Sequence, residues 1–517
     1  MTITVKILNA RGSPVSRDEI ASLFAADLSC EPYRRENEVS REGIITLRVP
    51  AGPVILQAKL MLPGYGHVWI TADKCGKGYQ DGDVVDFIRE AARSRVYEVE
   101  SCIRENDFLP SPKCCSLLAD GKTMLRLAET ASGPAGKTAA LKPEAAEYQH
   151  TALTALMWAG DLAVVEQARA RIGAAKTRKP LLFGCAGFEY PYKDLPEAKA
   201  RFDQVFNYAT MPFYLARVEP EQGKPNYAPL DTLLDHLEKA GITAKGHPLW
   251  WAHTAGMPPW TRNLRWEDGS IRRELERVIT SRVRRYQGRI RIYDVINEAH
   301  DWCNAWMMSQ DQLVEMTKAC ADAVHNADSS CKTVVNTCFM FGENAADPRV
   351  QWGIINERNM TPWSYIKKLE ETGAQYEAIG MQLYCPCRDM LSISKLYDRF
   401  SVFGKPYHIT ELGVPSEKRD VPPNTTEGDI YCLRYMYQGL WHEMNWSERL
   451  QADWLEDFYT LSRARPEVEA LTWWSFFDSH SYVPAAGLLR EDGSPKEAFF
   501  RLGALENAWG FKSEKGI

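Results

Sequence analysis

At 517 residues the chain exceeds one ordinary domain and has room for a large barrel with accessory modules. A composition of 45% hydrophobic and 25% charged residues fits a soluble globular protein and disfavours the disordered and membrane classes. With 62 basic against 68 acidic residues there is no excess positive field along which a polynucleotide would be held, so neither nucleic acid nor a membrane is an expected partner.

From residue 1 to about 83, short runs such as "ITVKILNA", "GIITLRVP", "VILQAKLML" and "HVWITA" are separated by Gly, Pro and Asp clusters. This pattern predicts a small β-sandwich, which either binds glycan or only packs on a neighbour. From 84 to 175 apolar residues recur at spacings of three and four in "VVDFIREAARSRVYEVESCI", "SLLADGKTMLRLAETA" and "EAAEYQHTALTALMWAGDLAVVEQARARI". These predict a helical connector, with a Gly, Ala and Lys-rich loop at 131 to 142.

Between 176 and 517, strand-like runs alternate with amphipathic segments. The runs are "PLLFGCAGF", "VFNYATMPFYL", "ITAKGHPLWW", "IRIYDVINE", "TVVNTC", "AIGMQLY", "PYHITELGV" and "ALTWWSFFD". Eight strands interleaved with helices predict a (β/α)₈ barrel, an α/β fold whose catalytic residues sit at the C-terminal strand ends.

The 13 cysteines are odd in number, which argues against a fully paired extracellular framework and for reduced thiols. The opening "MTITVKILNARG" lacks the pattern of a signal peptide, so the expectation is a cytoplasmic protein, or a secreted one that has lost its leader.

Two of the barrel runs end in a carboxylate: Glu298 closes the fourth and Glu411 the seventh. In such a barrel both would stand at one mouth. A glycosidic bond breaks when one carboxyl group gives the leaving oxygen a proton and a second faces the oxocarbenium-like centre. One of two close carboxyls must then hold a proton at neutral pH, and Glu298 is expected to have its pKa raised by burial and by the charge of Glu411.

Here the sequence resembles glycoside hydrolase family 10, the β-xylanase family, over roughly residues 180 to 505. "YDVINEA" and "ITELGV" resemble that family's acid/base and nucleophile segments. The resemblance implies Glu298 as general acid/base, Glu411 as nucleophile and Asn297 as the amide that binds the sugar 2-hydroxyl. "AKGHPLWW" resembles the family's RGHxLxW segment, which carries His247 and Trp251 over as cleft residues. "WWSFFD" similarly implies Trp474 as the floor of the site, "MQLY" puts Gln382 near the nucleophile, and Tyr482 in "HSYVP" falls where the family keeps an aromatic lid.

Two departures accompany these matches. Where the family has a Glu-Asn pair and a downstream Lys that bind xylose units, this chain has Thr210, Met211 and Tyr214. At the sixth strand the family's Gln-x-His becomes Gln382-Leu383-Tyr384, and Tyr384 takes a place from which it can hydrogen-bond the nucleophile. The expected activity is therefore retaining hydrolysis of a β-linked oligo- or polysaccharide, or of a small glycoside, xylan or otherwise; a barrel that binds sugar without turnover is the rival from another class.

No cofactor or metal is expected. Cys385 and Cys387 in "YCPCRD" lack the second ligand pair that structural zinc requires. His253 and His300 also lie near strand ends and are candidates to touch substrate. Trp302 and Trp306 either wall the leaving-group side or pack the fourth loop.

Overall fold

The computed structural model describes residues 1–33, 37–39, 44–104, 108–132, 142–175, 180–187, 195–300, 304–342, 358–384, 387–417, 445–481 and 483–510. Tyr482, Trp302, Cys385 and most of the 131–142 stretch lie outside that set.

The N-terminal part has two sheets. Strands β1 (Thr2–Lys6), β2 (Phe24–Ala26), β3 (Asn37–Val39), β4 (Ile44–Arg48), β5 (Ile55–Leu62), β6 (Gly66–Ala72) and β7 (Val84–Asp86) form sheets in the orders β3-β4-β1-β7 and β2-β5-β6. All pairs are antiparallel except β1 with β7. Alternation sends one side of each strand inward: Ile3 and Val5 of β1, Ile45 and Leu47 of β4, and Leu60, Val68 and Ile70 of β5 and β6 meet in one core.

The helical run starts at Phe87, because Val84–Asp86 is taken up as a strand beside β1. Helices Phe87–Arg104, Pro112–Ser132 and Pro143–Ala174 pack on one another. The longest serves two cores: Ala152, Leu153, Leu156 and Met157 enter the sandwich core, while Ala159, Ala163, Val164 and Val165 enter the barrel core. A helix that is apolar over so much of its surface is stable only when covered on more than one side.

Strands β8 (Leu182–Ala186), β9 (Tyr208–Pro212), β10 (Thr243–His247), β11 (Ile292–Asn297), β12 (Lys332–Thr337), β13 (Ala378–Leu383), β14 (Tyr407–Leu412) and β15 (Val468–Trp473) close into a parallel barrel in chain order. Both faces of these strands are covered, which is why they read as near-continuous apolar runs. Helices Ala228–Ala240, Ser270–Arg285, Gln310–Ala327, Pro362–Glu371, Met390–Phe400 and Glu448–Arg463 lie between strands, and several start on a side-chain cap, such as Ser309, Thr361 and Asp389. The (β/α)₈ barrel expected from the sequence is the fold observed.

Helix Pro112–Ser132 approaches the long helix at Gly121, where an added Cβ would lie 2.5 Å from Leu156 Cγ and 3.2 Å from Ala152 O. In an open helix Gly→Ala stabilises by about 1 kcal/mol. Here the sign reverses: Gly121→Ala should lower stability by roughly 1–3 kcal/mol through overpacking, read as a fall in the denaturation midpoint.

Candidate active site

The C-terminal strand ends bring the two carboxylates to one mouth. Glu298 follows β11 directly, with its backbone in the left-handed region at φ 51°. That conformation costs a non-glycine residue about 1–2 kcal/mol. Flanking main-chain bonds hold it: Asn297 N donates to Trp250 O at 3.0 Å, and Glu298 N donates to Asn336 O at 3.0 Å. The turn aims the side chain across the barrel opening instead of along the strand.

Glu411 lies near the end of β14, and the pairing register shifts between Ile409 and Leu412, as it does between Asp294 and Ile296 on β11 and between Met381 and Gln382 on β13. Such irregularities re-aim side chains at barrel rims. The residue skipped in the pairing is Val295 on β11, ahead of Glu298, and Thr410 on β14, beside Glu411.

A row of amides joins the two acids. Gln382 Nε2 donates to Glu298 Oε1 at 2.7 Å and to Asn297 Oδ1 at 3.4 Å. Asn336 Nδ2 donates to Asn297 Oδ1 at 2.6 Å and to Glu411 Oε1 at 3.2 Å. Tyr384 OH donates to the other oxygen of Glu411 at 3.0 Å. Gln382 is paired in register with Glu411, yet its side-chain bond goes to Glu298.

Both carboxyls are nearly buried, at 8% and 7% exposure for Glu298 and Glu411. Burial, then the nearby charge of Glu298, pushes the Glu411 carboxyl up to about 8, against the hydrogen bond from Tyr384 that lowers it. At neutral pH the pair holds one proton between its two members.

A buried polar line runs from the barrel interior to this pair. Lys245 Nζ lies 2.7 Å from Asp294 Oδ2, which also accepts from His247 Nδ1 at 2.6 Å. Burial alone would raise the Asp294 carboxyl, but the charge of Lys245 and the His247 hydrogen bond hold it below its usual range. Burial holds His247 below its ordinary value despite Asp294, so the ring is neutral with its proton on Nδ1. Its Nε2 is then an acceptor, 3.4 Å from Tyr214 OH and 3.8 Å from Glu411 Oε1.

Aromatic rings line one side. Trp474 meets His247 edge-on at 5.3 Å, and Tyr214 packs on Trp251 at 5.5 Å. Tyr214 is placed by its neighbours: Phe213 N donates to His247 O at 2.7 Å, and the buried Arg282 donates from Nη1 to Phe213 O at 2.6 Å. Burial, then Glu411 and Glu298, raise the Tyr214 hydroxyl well above its ordinary value, so it remains a neutral donor. Thr210 and Met211 are fully buried within β9.

Two secondary candidates have structural partners instead. His300 is fully buried, faces Met360 O with Nδ1 at 3.0 Å and accepts from Cys338 N at Nε2; burial pushes it down to about 4. Trp306 stacks on the buried Trp250 and donates to Thr261 O at 3.2 Å, which is the loop-packing role. His253 packs on Trp251 at 4.6 Å. Among the described residues no cluster of three or more His, Cys, Asp or Glu is arranged to hold a metal.

Sequence reasoning passed over Asn336, Asp294 and Lys245. Each is a polar residue inside an apolar strand run, and that mismatch was the available signal.

The model of glycosyl hydrolase family 10 matches residues 173–504, more than half of the chain, and the chain belongs to that family. Endo-1,4-beta-xylanase 1 of Arabidopsis thaliana is 25% identical over 295 residues, covering 56% of this chain and 26% of the relative. Endo-1,4-beta-xylanase B of Thermotoga neapolitana is 23% identical over 303 residues, covering 56% and 76%. The chain thus spans well under half of the length of the plant relatives, between 23% and 36%. Among solved structures, native xylanase 10B of Thermotoga maritima aligns at 20% identity and TM-score 0.49, covering 67% of this chain and 99% of that one.

The Lys245–Asp294 pair has no exposure at either side chain. Removing one partner leaves the other charge buried, which costs roughly 3–5 kcal/mol. Asp294→Asn should therefore destabilise the fold by about that amount in urea unfolding. Because the folded Asp294 is depressed, its contribution is present above the unfolded carboxyl range near pH ~4 and is lost as pH falls below it.

Proposed function

We propose that the chain is a retaining β-glycoside hydrolase of the endo-1,4-β-xylanase type, with Glu411 as nucleophile and Glu298 as general acid/base. The observation that carries this reading is the amide row from Gln382 through Asn297 and Asn336, which ties both carboxyls into one network at the barrel mouth. Membership of family 10 and xylanase-named relatives support the same class.

The donors divide the roles. Tyr384 and Asn336 both donate to Glu411 and support the anion it must be to attack; in this reading the proton that the pair shares is on Glu298 when the glycoside is bound. In the first step a Glu411 oxygen bonds the anomeric carbon while the Glu298 proton passes to the departing oxygen. The ester so formed carries no charge, so the repulsion that held the proton on Glu298 is gone. Glu298 can then take a proton from water as that water attacks the anomeric carbon and Glu411 departs. Asn297 is the group assigned to the sugar 2-hydroxyl, and neutral His247 offers Nε2 as an acceptor beside Trp474.

The glycone is where this chain departs from its family. Thr210 and Met211 are buried, and the position of a cationic Lys holds the neutral Tyr214. A site without donors for a given hydroxyl discriminates poorly for it. This favours, as a second reading, a β-linked substrate other than plain linear xylan, including a small glycoside. Rates on aryl β-xyloside, glucoside and galactoside and on polymeric xylan separate the two.

A 2-fluoro glycoside bearing a good leaving group tests the mechanism: a covalent label on Glu411 is expected, and tight binding without label would mean a sugar-binding barrel. Glu298→Gln should slow cleavage of an unactivated glycoside by roughly 10²–10⁴, and much less for a glycoside whose leaving group needs no proton. Activity of the native chain should decline above pH about 8, where the pair loses its shared proton. Glu298→Gln removes the neighbouring charge, so the Glu411 titration should move down and that decline should vanish for the activated substrate.

A further inference from the structure

Residues 387–390, close after Tyr384 in sequence, are each tied to the modules preceding the barrel. Cys387 O accepts from Trp69 N of β6 at 3.0 Å. The Arg388 guanidinium lies between two rings, 4.8 Å from the centre of Trp69 and 4.0 Å from that of Phe341, which follows β12, and Nη1 reaches Gln57 Oε1 of β5 at 3.4 Å. Asp389 receives both guanidinium nitrogens of Arg95, from the first connector helix, at 2.9 and 3.2 Å. Met390 N donates to Asp161 Oδ1 of the long connector helix at 2.7 Å, and Tyr65 OH of the sandwich holds the other Asp161 oxygen at 2.5 Å.

All of these groups are buried: Arg388 2%, Asp389 0%, Arg95 5%, Trp69 1%, Asp161 7%. A desolvated cation is attracted to the negative faces of both rings, and a buried Arg–Asp pair is costly to break once formed. Such contacts fix a loop; they do not suit a module that swings on a linker. The sandwich also lacks an exposed aromatic platform. Of the rings in residues 1–83, Phe24, Tyr65, Trp69 and Tyr79 are buried and Tyr33 is partly buried against the core.

We propose that the N-terminal sandwich and connector are part of the catalytic unit, and that Arg388, clamped by Trp69 and Gln57, is a positioning residue that sets the Tyr384 hydroxyl on Glu411. The proposal rests on the hydrolase reading above for its kinetic consequence, though not for the mount itself. Tyr384 lowers the Glu411 carboxyl by donating to it. A loosened segment weakens that bond and destabilises the Glu411 anion. The acid limb of the kcat/KM profile then moves to higher pH, and the basic limb, which reports loss of the shared proton, does not move down.

The test uses the full chain. Arg388→Met keeps the length of the side chain and removes its charge. It should lower kcat/KM on an aryl β-glycoside by roughly tenfold to a hundredfold, as misplacement of a catalytic contact does. It should also move the acid limb up by about half a pH unit, in the direction of Tyr384→Phe. The double variant should show no further shift than Tyr384→Phe alone, because both act through one bond. Hydrogen exchange should rise over 378–384 in Arg388→Met.

An unmoved acid limb, additive shifts in the double variant, or unchanged exchange over 378–384 would overturn the proposal. If the native chain cleaves no glycoside, the hydrolase reading fails, and the exchange experiment alone decides on the mount. Gln57→Met, which removes only the acceptor of Arg388, is judged by the same criteria should Arg388→Met not fold.

Discussion

Two nearly buried carboxyl groups at one barrel mouth cannot both be charged without large cost, and the arrangement around Glu298 and Glu411 follows from that constraint. Burial and mutual repulsion keep one proton on the pair. Donors reach both groups: Gln382 on Glu298, Asn336 and Tyr384 on Glu411. Donors stabilise the single anion without adding a formal charge that would take up the second proton's place. The buried cation Lys245 lowers the Glu411 carboxyl only as a lesser influence, its ammonium lying 2.7 Å from Asp294. The result is a pair able to change protonation in a reaction step, which an Arg beside either acid would prevent.

The barrel supplies this with three devices that differ physically. Register shifts on β11 and β14 re-aim their end residues. A left-handed turn at Glu298 throws its side chain across the opening, at a cost met by the main-chain bonds on either side. Underneath, Lys245 and Asp294 place a neutralised ion pair where an apolar core would leave His247 unoriented. All three raise local energy and lower positional freedom, the usual exchange at a site held by a rigid scaffold.

The barrel was legible in the sequence because parallel strands covered on both faces must be apolar throughout, and the helices between them must be amphipathic. Glu298 and Glu411 were legible because each interrupts such a run at its end. The network between them was less so: Asn336 in "TVVNTC" and Asp294 in "YDVINE" are polar letters whose partners lie on other strands, and only closure of the barrel brings them together. Val84–Asp86 was read as the start of a helix since three residues carry too little period, and its pairing with β1 is a contact distant in sequence. His300 sat at a strand end like His247, and burial among Met360 and Cys338 distinguishes them.

The same reasoning bears on how the N-terminal modules and the barrel depend on each other. The long helix Pro143–Ala174 has one stretch in each hydrophobic core, so neither core closes without it. Arg95 pairs with Asp389, and Asp161 accepts from Met390 N, so the junction between the two halves is made of buried polar contacts as well as apolar ones. The two halves thus share one buried junction, and residues 387–390, through which they meet, follow in sequence the residue that donates to Glu411. Stability of the junction and geometry at the carboxyl pair are set by the same few residues, which places selection for one under the constraint of the other.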